Sequence, residues 1–251
     1  FSNIRKNVKI LLQSGKNQAF VDSYNMLIAL DTVFSTFLQS SPFYQGLCYG
    51  KDSRMMFYRG NLGVNGLYTK FPEFGALPEY NHVITKIMYL AESRFEQWSE
   101  LMKKRGIFIN PRRLYGSIYD VNWSPVKVNP IGTFELRGMD MNRFELLVSC
   151  GVLMRYVLES IQKRDIAIAV DEMAIKEPFR VEGDKVYLPP FNYMNSILQK
   201  NSAMKGMDDR QVRDYCNGFL KFVSTLLPPD RKKFLRPFHK MVSSKKTVSD
   251  E

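Results

Sequence analysis

Hydrophobic residues recur at helical spacing along most of the chain, which predicts a mainly helical protein. An opening helix over about residues 4–15 ends at Gly15. From about Phe20 to Leu38, apolar residues lie around most of the helical circumference, which is typical of a buried helix. This helix ends at Ser40-Ser41-Pro42, because proline disfavours helix in the residue before it. Further helices are predicted at about 79–104, 143–164, 190–203 and 208–227.

Strand signals are short and lie between these helices. Ile107–Asn110 and Ile118–Val121 are short candidate strands, and alternation of apolar and polar residues marks Thr133–Arg137 as a third. Residues 179–188 predict a hairpin that turns at Glu182-Gly183-Asp184. Residues 42–80 are rich in glycine and proline, so we expect a largely irregular region of the kind that often carries function.

Composition places the chain among folded globular proteins, with 45% hydrophobic and 24% charged residues over 251 positions. No stretch reaches the ~20 apolar residues of a membrane span, and the first residues lack the apolar core of a signal peptide. We therefore expect a cytoplasmic location and no membrane partner. The first residue is not Met, so we interpret the chain as a processed form or part of something longer.

Cysteine and histidine are too few and too widely spaced for a disulfide framework or a zinc site. Cys48, Cys150 and Cys216 form no C-x-x-C pair, and His82 and His239 are the two histidines. A bound metal would need oxygen ligands, which favours magnesium.

Part of the net charge of +11 is local, because seven cations crowd the C-terminal end of the chain. We predict one domain over residues 1–228 and a basic tail over 229–251, with the flexibility of the tail left open. A basic surface attracts nucleic acid or an anionic small molecule such as ATP, and charge alone does not choose between them. The aromatic residues are not interleaved with the lysines as in RNA-binding signatures, so we do not expect nucleic acid as a partner. The cations at this end are Arg231, Lys232, Lys233, Arg236, Lys240, Lys245 and Lys246.

The candidate strand at 133–137 carries the most informative chemistry. Alternation places Glu135 and Arg137 on its polar face, ~7 Å apart, with Phe134 and Leu136 on the other face. A carboxylate can hold magnesium, and a guanidinium can clamp a carboxylate or phosphate with two parallel hydrogen bonds. Together they would suit phosphoryl transfer to a carboxylate, although such a pair on a strand is more often a solvated ion pair.

Four segments, in order across about residues 29–140, resemble motifs of one enzyme family. Ala29-Leu30-Asp31 and then Ser40–Gly46 resemble a helix end followed by "SPFW-x-G", and Lys51–Arg59 resembles "RDTG-x-x-SYR". Phe71–Pro78 is similar to "P-x-x-G-x-P", and Trp123 with Gly132–Asp140 to "WD-x-R … GTVEVR-x-x-D". The family is the glutamate–cysteine ligase family of the second type, and the chain resembles its C-terminal two-thirds.

The resemblance implies an α+β fold like that of glutamine synthetase, a curved antiparallel sheet flanked by helices. It implies a carboxylate–amine ligase that uses ATP and magnesium to form a γ-glutamyl-type amide through an acyl phosphate. Glu135 is then the magnesium ligand, and Arg137 and Arg59 are catalytic and hold substrate and phosphate. Lys51 and Asp52 fall among the substrate- and phosphate-binding positions of the motifs.

The chain also departs from the family's pattern. The first strands, with their metal-binding glutamates and a His-x-His strand, are absent, which would make this chain helix-rich. Residues 47–50 are an insertion, and Ser124 and Val126 replace the aspartate and arginine of "WD-x-R", with Lys127 as the nearest cation.

Two alternatives to an active ligase stay open. One is a catalytically silent relative that binds a nucleotide or a partner protein, and the other is a basic nucleic-acid-binding protein. For the ligase, the partners are a small amino-acid-like acid and an amine, neither identified by the sequence. Homo-oligomerisation is left open.

Overall fold

The computed structural model describes residues 17–59, 62, 65–66, 68–110, 113, 116–120, 123–129 and 132–251. The predicted opening helix over residues 4–15 lies outside the described residues. Among the described residues, helix predominates over strand.

The long helices follow the predicted pattern closely. Beyond the opening segment, each of the five predicted long helices is present, with ends that differ by a few residues. The first part of the chain forms α1 (Asn17–Phe37), α2 (Ser53–Tyr58), α3 (Pro72–Gly75) and α4 (Ile84–Lys104). The second part forms α5 (Phe144–Lys163), α7 (Arg210–Leu226) and α8 (Arg236–Ser244). Between α5 and α7 lies the continuous helix α6, made of Phe191–Tyr193, a π-helical turn at Met194–Leu198, and Gln199–Lys205.

In the described part of the chain, seven short strands form three small sheets, so the predicted α+β class is confirmed. The first two sheets are antiparallel pairs, β1 (Phe43–Tyr44) with β2 (Leu47–Cys48) and β3 (Val126–Val128) with β4 (Phe134–Leu136). In the third sheet, β7 (Lys185–Leu188) lies between β5 (Ala167–Val170), to which it is parallel, and β6 (Val181–Glu182), to which it is antiparallel. The β6–β7 pair is the hairpin predicted at 179–188.

Two of the predicted strands are wrong. Residues 107–110 form no strand, because their apolar side chains are exposed, with Phe108 at 84%, and bury nothing that pairing could stabilise. Ile118–Asp120 is a turn of 3-10 helix, in which the backbone N–H of Asp120 donates to the carbonyl of Ser117 at 3.2 Å. The remaining residue of that predicted strand, Val121, lies outside the described residues.

Helix α1 is the centre of the fold and is buried along almost its whole length. One side packs with α5, α7 and β7 in the larger apolar cluster, and the other packs with α4, β3 and Leu77 in a smaller one. Three of its buried hydroxyls are satisfied within the helix, since Ser23, Ser35 and Thr36 each donate to a carbonyl one turn earlier at 2.6–2.7 Å. At these three positions the helix is therefore buried without leaving a hydroxyl group unpaired.

The basic C-terminal segment packs against the rest of the chain. Phe238 of α8 is fully buried, and its ring centroid lies 4.5 Å from that of Phe37. Farther on, the backbone N–H of Ser249 donates to the carbonyl of Gln39 at 3.2 Å. The cations named above are therefore displayed from a folded surface, and the division of the chain at residue 228 stays a prediction.

No helix in the described part of the chain combines the length and apolar character that crossing a membrane requires.

Candidate functional site

The β3–β4 hairpin places its apolar side chains against α1 and its charged side chains outward. The Phe134 ring centroid lies 4.6 Å from that of Phe20 and 6.0 Å from that of Tyr24. Lys127 stands directly opposite Glu135 in the register. The predicted separation of the two faces of the strand is confirmed.

Four charged side chains meet on the outer face, and we call them the hairpin cluster: Asp120, Lys127, Glu135 and Arg137. Arg137 Nε lies 3.3 Å from Glu135 Oε1, and Lys127 Nζ lies 3.9 Å from Glu135 Oε2. Lys127 also contacts the carboxylate of Asp120. The Glu135 side chain is 43% exposed and that of Arg137 is 28% exposed. A ligand arriving from solvent can therefore reach a carboxylate that has a cation on each side.

The cluster offers too few carboxylates to hold a magnesium ion by protein groups alone. A magnesium ion that is also bound by the phosphates of a ligand would need fewer of them. In the described part of the chain, no group of three or more His, Cys, Asp or Glu side chains could hold a metal ion. Glu135 offers one carboxylate, and Asp120 offers the next, on the other side of the Lys127 ammonium. Magnesium is commonly bound through one or two carboxylates together with substrate phosphates and water. Glu135 and Asp120 are the residues of the hairpin cluster that would offer such oxygen donors.

Arg59, the second arginine that the sequence analysis singled out, is fully buried behind the end of β4. Its Nη1 lies 2.6 Å from Asp31 Oδ2 in α1, and neither side chain has any exposed surface. Gly138 leaves room for this pair, since a Cβ at that position would lie 2.2 Å from Asp31 Oδ1 and 2.6 Å from Arg59 Nη2. The guanidinium also lies 6.0 Å from the ring centroid of Trp123. In this arrangement the Arg59 side chain contacts other protein groups and has no contact with solvent.

Asp52 is buried at the start of α2, where it caps the helix. Its Oδ1 accepts a hydrogen bond from the backbone N–H of Met55 at 2.7 Å. Burial raises the pKa of Asp52 to about 7, and the neighbouring charge of Asp140 adds to the shift. The geometry therefore gives Asp52 a place inside the protein and away from solvent.

Lys51 faces the C-terminal segment and is separate from the hairpin cluster. It contacts the carboxylate of Asp250 and lies 3.7 Å from that of Asp208. The hydrogen bond to Asp250 raises the pKa of Lys51. Burial alone would raise the pKa of Asp250, but hydrogen bonds from Lys51 and Thr247 outweigh it and lower the value. The structure thus brings Glu135 and Arg137 together and places Lys51 elsewhere.

Arg54, which the sequence analysis left without a role, joins α2 to the chain after β4. Its Nη2 donates to the carbonyl of Arg137 at 3.0 Å, and its Nη1 donates to the carbonyl of Met139. Asp140 in turn accepts from the backbone N–H of Ser40 at 3.0 Å and from the Ser41 hydroxyl at 2.6 Å. Arg54 lies between Asp52 and Arg59 in the motif-like segment Lys51–Arg59, and this position is the signal that could have drawn attention to it.

The four segments that resemble the ligase motifs are in mutual contact. Ser41 and Asp52 form a β-bridge, which joins the first segment to the second. Helix α3 in the third segment lies against the end of α2, where a Cβ on Gly75 would come within 2.2 Å of the Tyr58 carbonyl oxygen. Arg54 and Asp140 connect the second and first segments to the fourth. Glu135 and Arg137 of the hairpin cluster therefore belong to one connected set of these segments.

Comparison of the chain with protein-family models, with curated proteins and with solved structures found no match.

Proposed function

We propose that the chain is the phosphate- and carboxylate-binding part of an ATP-dependent carboxylate–amine ligase of the glutamate–cysteine ligase kind. In this proposal it couples a small amino-acid-like acid to an amine. The hairpin cluster is the part of the active site that this chain contributes.

The observation that carries the proposal is the contact among the four motif-like segments around the hairpin cluster. Residues far apart in sequence, Ser41, Arg54 and Arg137, are linked through short polar contacts. An enzyme site needs side chains from several segments held in fixed positions. The assembly supplies that rigidity, while Glu135 and Arg137 remain open to solvent.

The partly exposed Arg137 and the largely buried Lys127 each have a role in this chemistry. Arg137 holds the carboxylate of the acid or a phosphate oxygen, because a guanidinium can donate two parallel hydrogen bonds to either group. Lys127 adds a second positive charge beside Glu135, and positioned cations stabilise negative charge that develops on phosphoryl oxygens. Arg59 is buried, so it acts as a positioning residue that fixes the chain next to Arg137 through its pair with Asp31.

The proposed reaction also requires ATP and magnesium. When bound, they supply a phosphoryl group that converts the acid into an acyl phosphate, which an amine attacks with loss of phosphate. Glu135 is the residue of this chain that would contact the magnesium ion, with Asp120 as the next carboxylate. The proposal includes a glutamine synthetase-like curved antiparallel sheet, to which the β3–β4 hairpin would belong, and a cytoplasmic location, where ATP is available.

The test is ADP release by the full chain with ATP and magnesium over a panel of amino acids and amines. Arg137→Ala and Glu135→Ala should each abolish release, because each removes a group that contacts the reacting species. Arg155→Ala is the matched control, since Arg155 lies on the exposed face of α5 and pairs with Glu159. Intact mass should verify every preparation, and unfolding midpoints should confirm that the variants are folded.

Two results would refute the proposal. One is ADP release that persists in both Arg137→Ala and Glu135→Ala. The other is a verified chain, tested together with any longer natural form, that releases no ADP with any acid and amine. The second result would favour the catalytically silent relative, and nucleotide binding would then be measured directly.

A further inference from the structure

A second cleft lies on the far side of Arg94 from the hairpin cluster. It has a volume of about 510 Å³ and is formed by α4, the chain at 76–81 and the start of α6. Its walls are mainly apolar, with the polar or charged side chains of Glu79, Asn81, Lys86, Ser93, Arg94 and Asn195 placed among them. This size and lining are typical of sites for small organic molecules, which commonly measure roughly 300–1,000 Å³.

Arg94 is the distinctive group of this cleft. Its Nε is buried and makes no hydrogen bond. In the described part of the chain no carboxylate forms a close ion pair with it, and Glu73 acts on it only through its charge. Burial lowers the pKa of its guanidinium, although the nearby Glu73 and Tyr24 oppose the change. A partly buried guanidinium without a carboxylate partner is costly, and an anionic ligand would supply the missing charge.

The rest of the lining favours an anion. Lys86 lies on the same face of α4 as Leu90 and Arg94, about one and two helical turns before them. Glu79 at the exposed rim is the one carboxylate among the lining residues, so the lining carries a net charge of +1. Tyr89 is 67% exposed and, with Phe191, offers aromatic surface to the body of a ligand.

The walls of the cleft are held in place, and one of them is unusual. Asn25 in α1 exchanges two hydrogen bonds with the backbone of Asn81, at 2.7 and 2.9 Å, which fixes that wall. On the opposite wall, Asn195 belongs to the π-helical turn of α6. π-Helical turns inside α-helices are rare and frequently occur at functional sites, which is an observation independent of the charge on Arg94.

We propose that this cleft binds a small organic anion with an apolar body, whose carboxylate or phosphate head group is held by Arg94 and assisted by Lys86. Arg94 also lines a pocket of about 40 Å³ that it shares with Lys127 of the hairpin cluster. A ligand in the cleft would therefore lie one side chain away from that cluster. The binding does not depend on ligase activity and is measured without ATP.

The test titrates the full chain with three probes that share one aromatic body: phenylacetate, phenyl phosphate and uncharged benzyl alcohol. Amide chemical shifts should change for residues of α4 and for 191–195, and the titration should give a Kd for each probe. Both anions, or one of them, should bind more tightly than the alcohol. The tighter anion identifies the head group as carboxylate or phosphate.

Arg94→Gln should weaken binding of the preferred anion about 10- to 100-fold, as expected for loss of a charge-assisted hydrogen bond, and should leave benzyl alcohol binding unchanged. Arg155→Gln, on the exposed face of α5, is the matched control and should change neither. If Arg94→Gln does not fold, Lys86→Glu at the exposed edge should still weaken anion binding several-fold. The proposal is overturned if the anions bind no better than the alcohol, or if the folded variants bind them as well as the parent chain does.

Discussion

Two ion pairs lie beside the same stretch of chain, residues 135–138, but in opposite environments. Glu135 and Arg137 are partly exposed on the hairpin, whereas Asp31 and Arg59 meet beside Gly138 with no exposed surface. An exposed pair contributes roughly 0–1 kcal/mol, because water competes for both ions. A buried pair commits both ions to each other, because an unpaired buried charge is far more costly. The comparison indicates that the exposed pair can exchange its partner for a ligand and that the buried pair has a structural role.

The largest effect should come from breaking the buried pair. Arg59→Met leaves the Asp31 carboxylate buried without a cation, and we expect a loss of about 3–5 kcal/mol in the free energy of unfolding. Urea unfolding followed by circular dichroism measures this loss.

The double variant Asp31→Leu with Arg59→Met is the control for that experiment. Replacing both ions by apolar side chains removes the unpaired charge, so much of the lost stability should return. If Arg59→Met alone were as stable as the parent chain, the Asp31–Arg59 pair would not be buried as described.

The next effect concerns Asp52, a buried carboxylate that caps α2. Its pKa is raised from 3.8 to about 7, so between these values the folded protein binds more protons than the unfolded chain does. Stability should therefore fall as the pH rises through this range, by about 2–3 kcal/mol between pH 5 and pH 8. Asp52→Asn, which retains a capping side chain, should remove this part of the pH dependence.

Unfolding midpoints in urea at several pH values measure the Asp52 effect. Asp184→Asn, in the exposed turn between β6 and β7, is the matched control and should follow the parent chain. An Asp52→Asn profile identical to that of the parent chain would contradict the assignment.

A smaller effect should follow from filling the space at Gly138. Gly138→Ala places a Cβ against both members of the buried pair, and we expect a loss of about 1–3 kcal/mol from overpacking. Gly151→Ala, on an open face of α5, has no atom within 4 Å of its new Cβ. It should be stabilised by about 0.5–1 kcal/mol, because alanine favours helix over glycine. Thermal and urea unfolding of the two variants should therefore shift in opposite directions.

The smallest effect on stability should come from the exposed pair. Arg137→Ala should change the free energy of unfolding by less than about 1 kcal/mol. Urea unfolding at low and high salt measures this, and the difference from the parent chain should shrink as salt screens the charges. If Arg137→Ala lowered the free energy of unfolding as much as Arg59→Met does, Arg137 would have a structural role. The two ion pairs would then not differ as described.

Local pattern in the sequence was sufficient for the helices and for the side chains that share a face. The apolar residues around α1 predicted its burial, and the alternation at 133–137 placed Glu135 and Arg137 together, as the structure has them. The strand prediction failed at 107–110, because a short run of apolar residues does not show whether a partner strand exists. It also missed β5, whose parallel pairing with β7 requires residues separated by a turn of 3-10 helix and another strand.

Residue pattern was enough to predict the long helices, the charged face of β4 and the residue types that could bind an anion. Which of those charges a ligand can reach depends on tertiary packing. Arg59 and Arg137 occupy equally prominent motif positions, yet one lies against Asp31 in the interior and the other faces solvent. Arg94 drew no attention in the sequence and became notable through its buried Nε, which makes no hydrogen bond. The physical reason is that helical and strand periodicity arise from neighbouring residues, whereas the burial and pairing of a charge depend on distant segments that packing brings beside it.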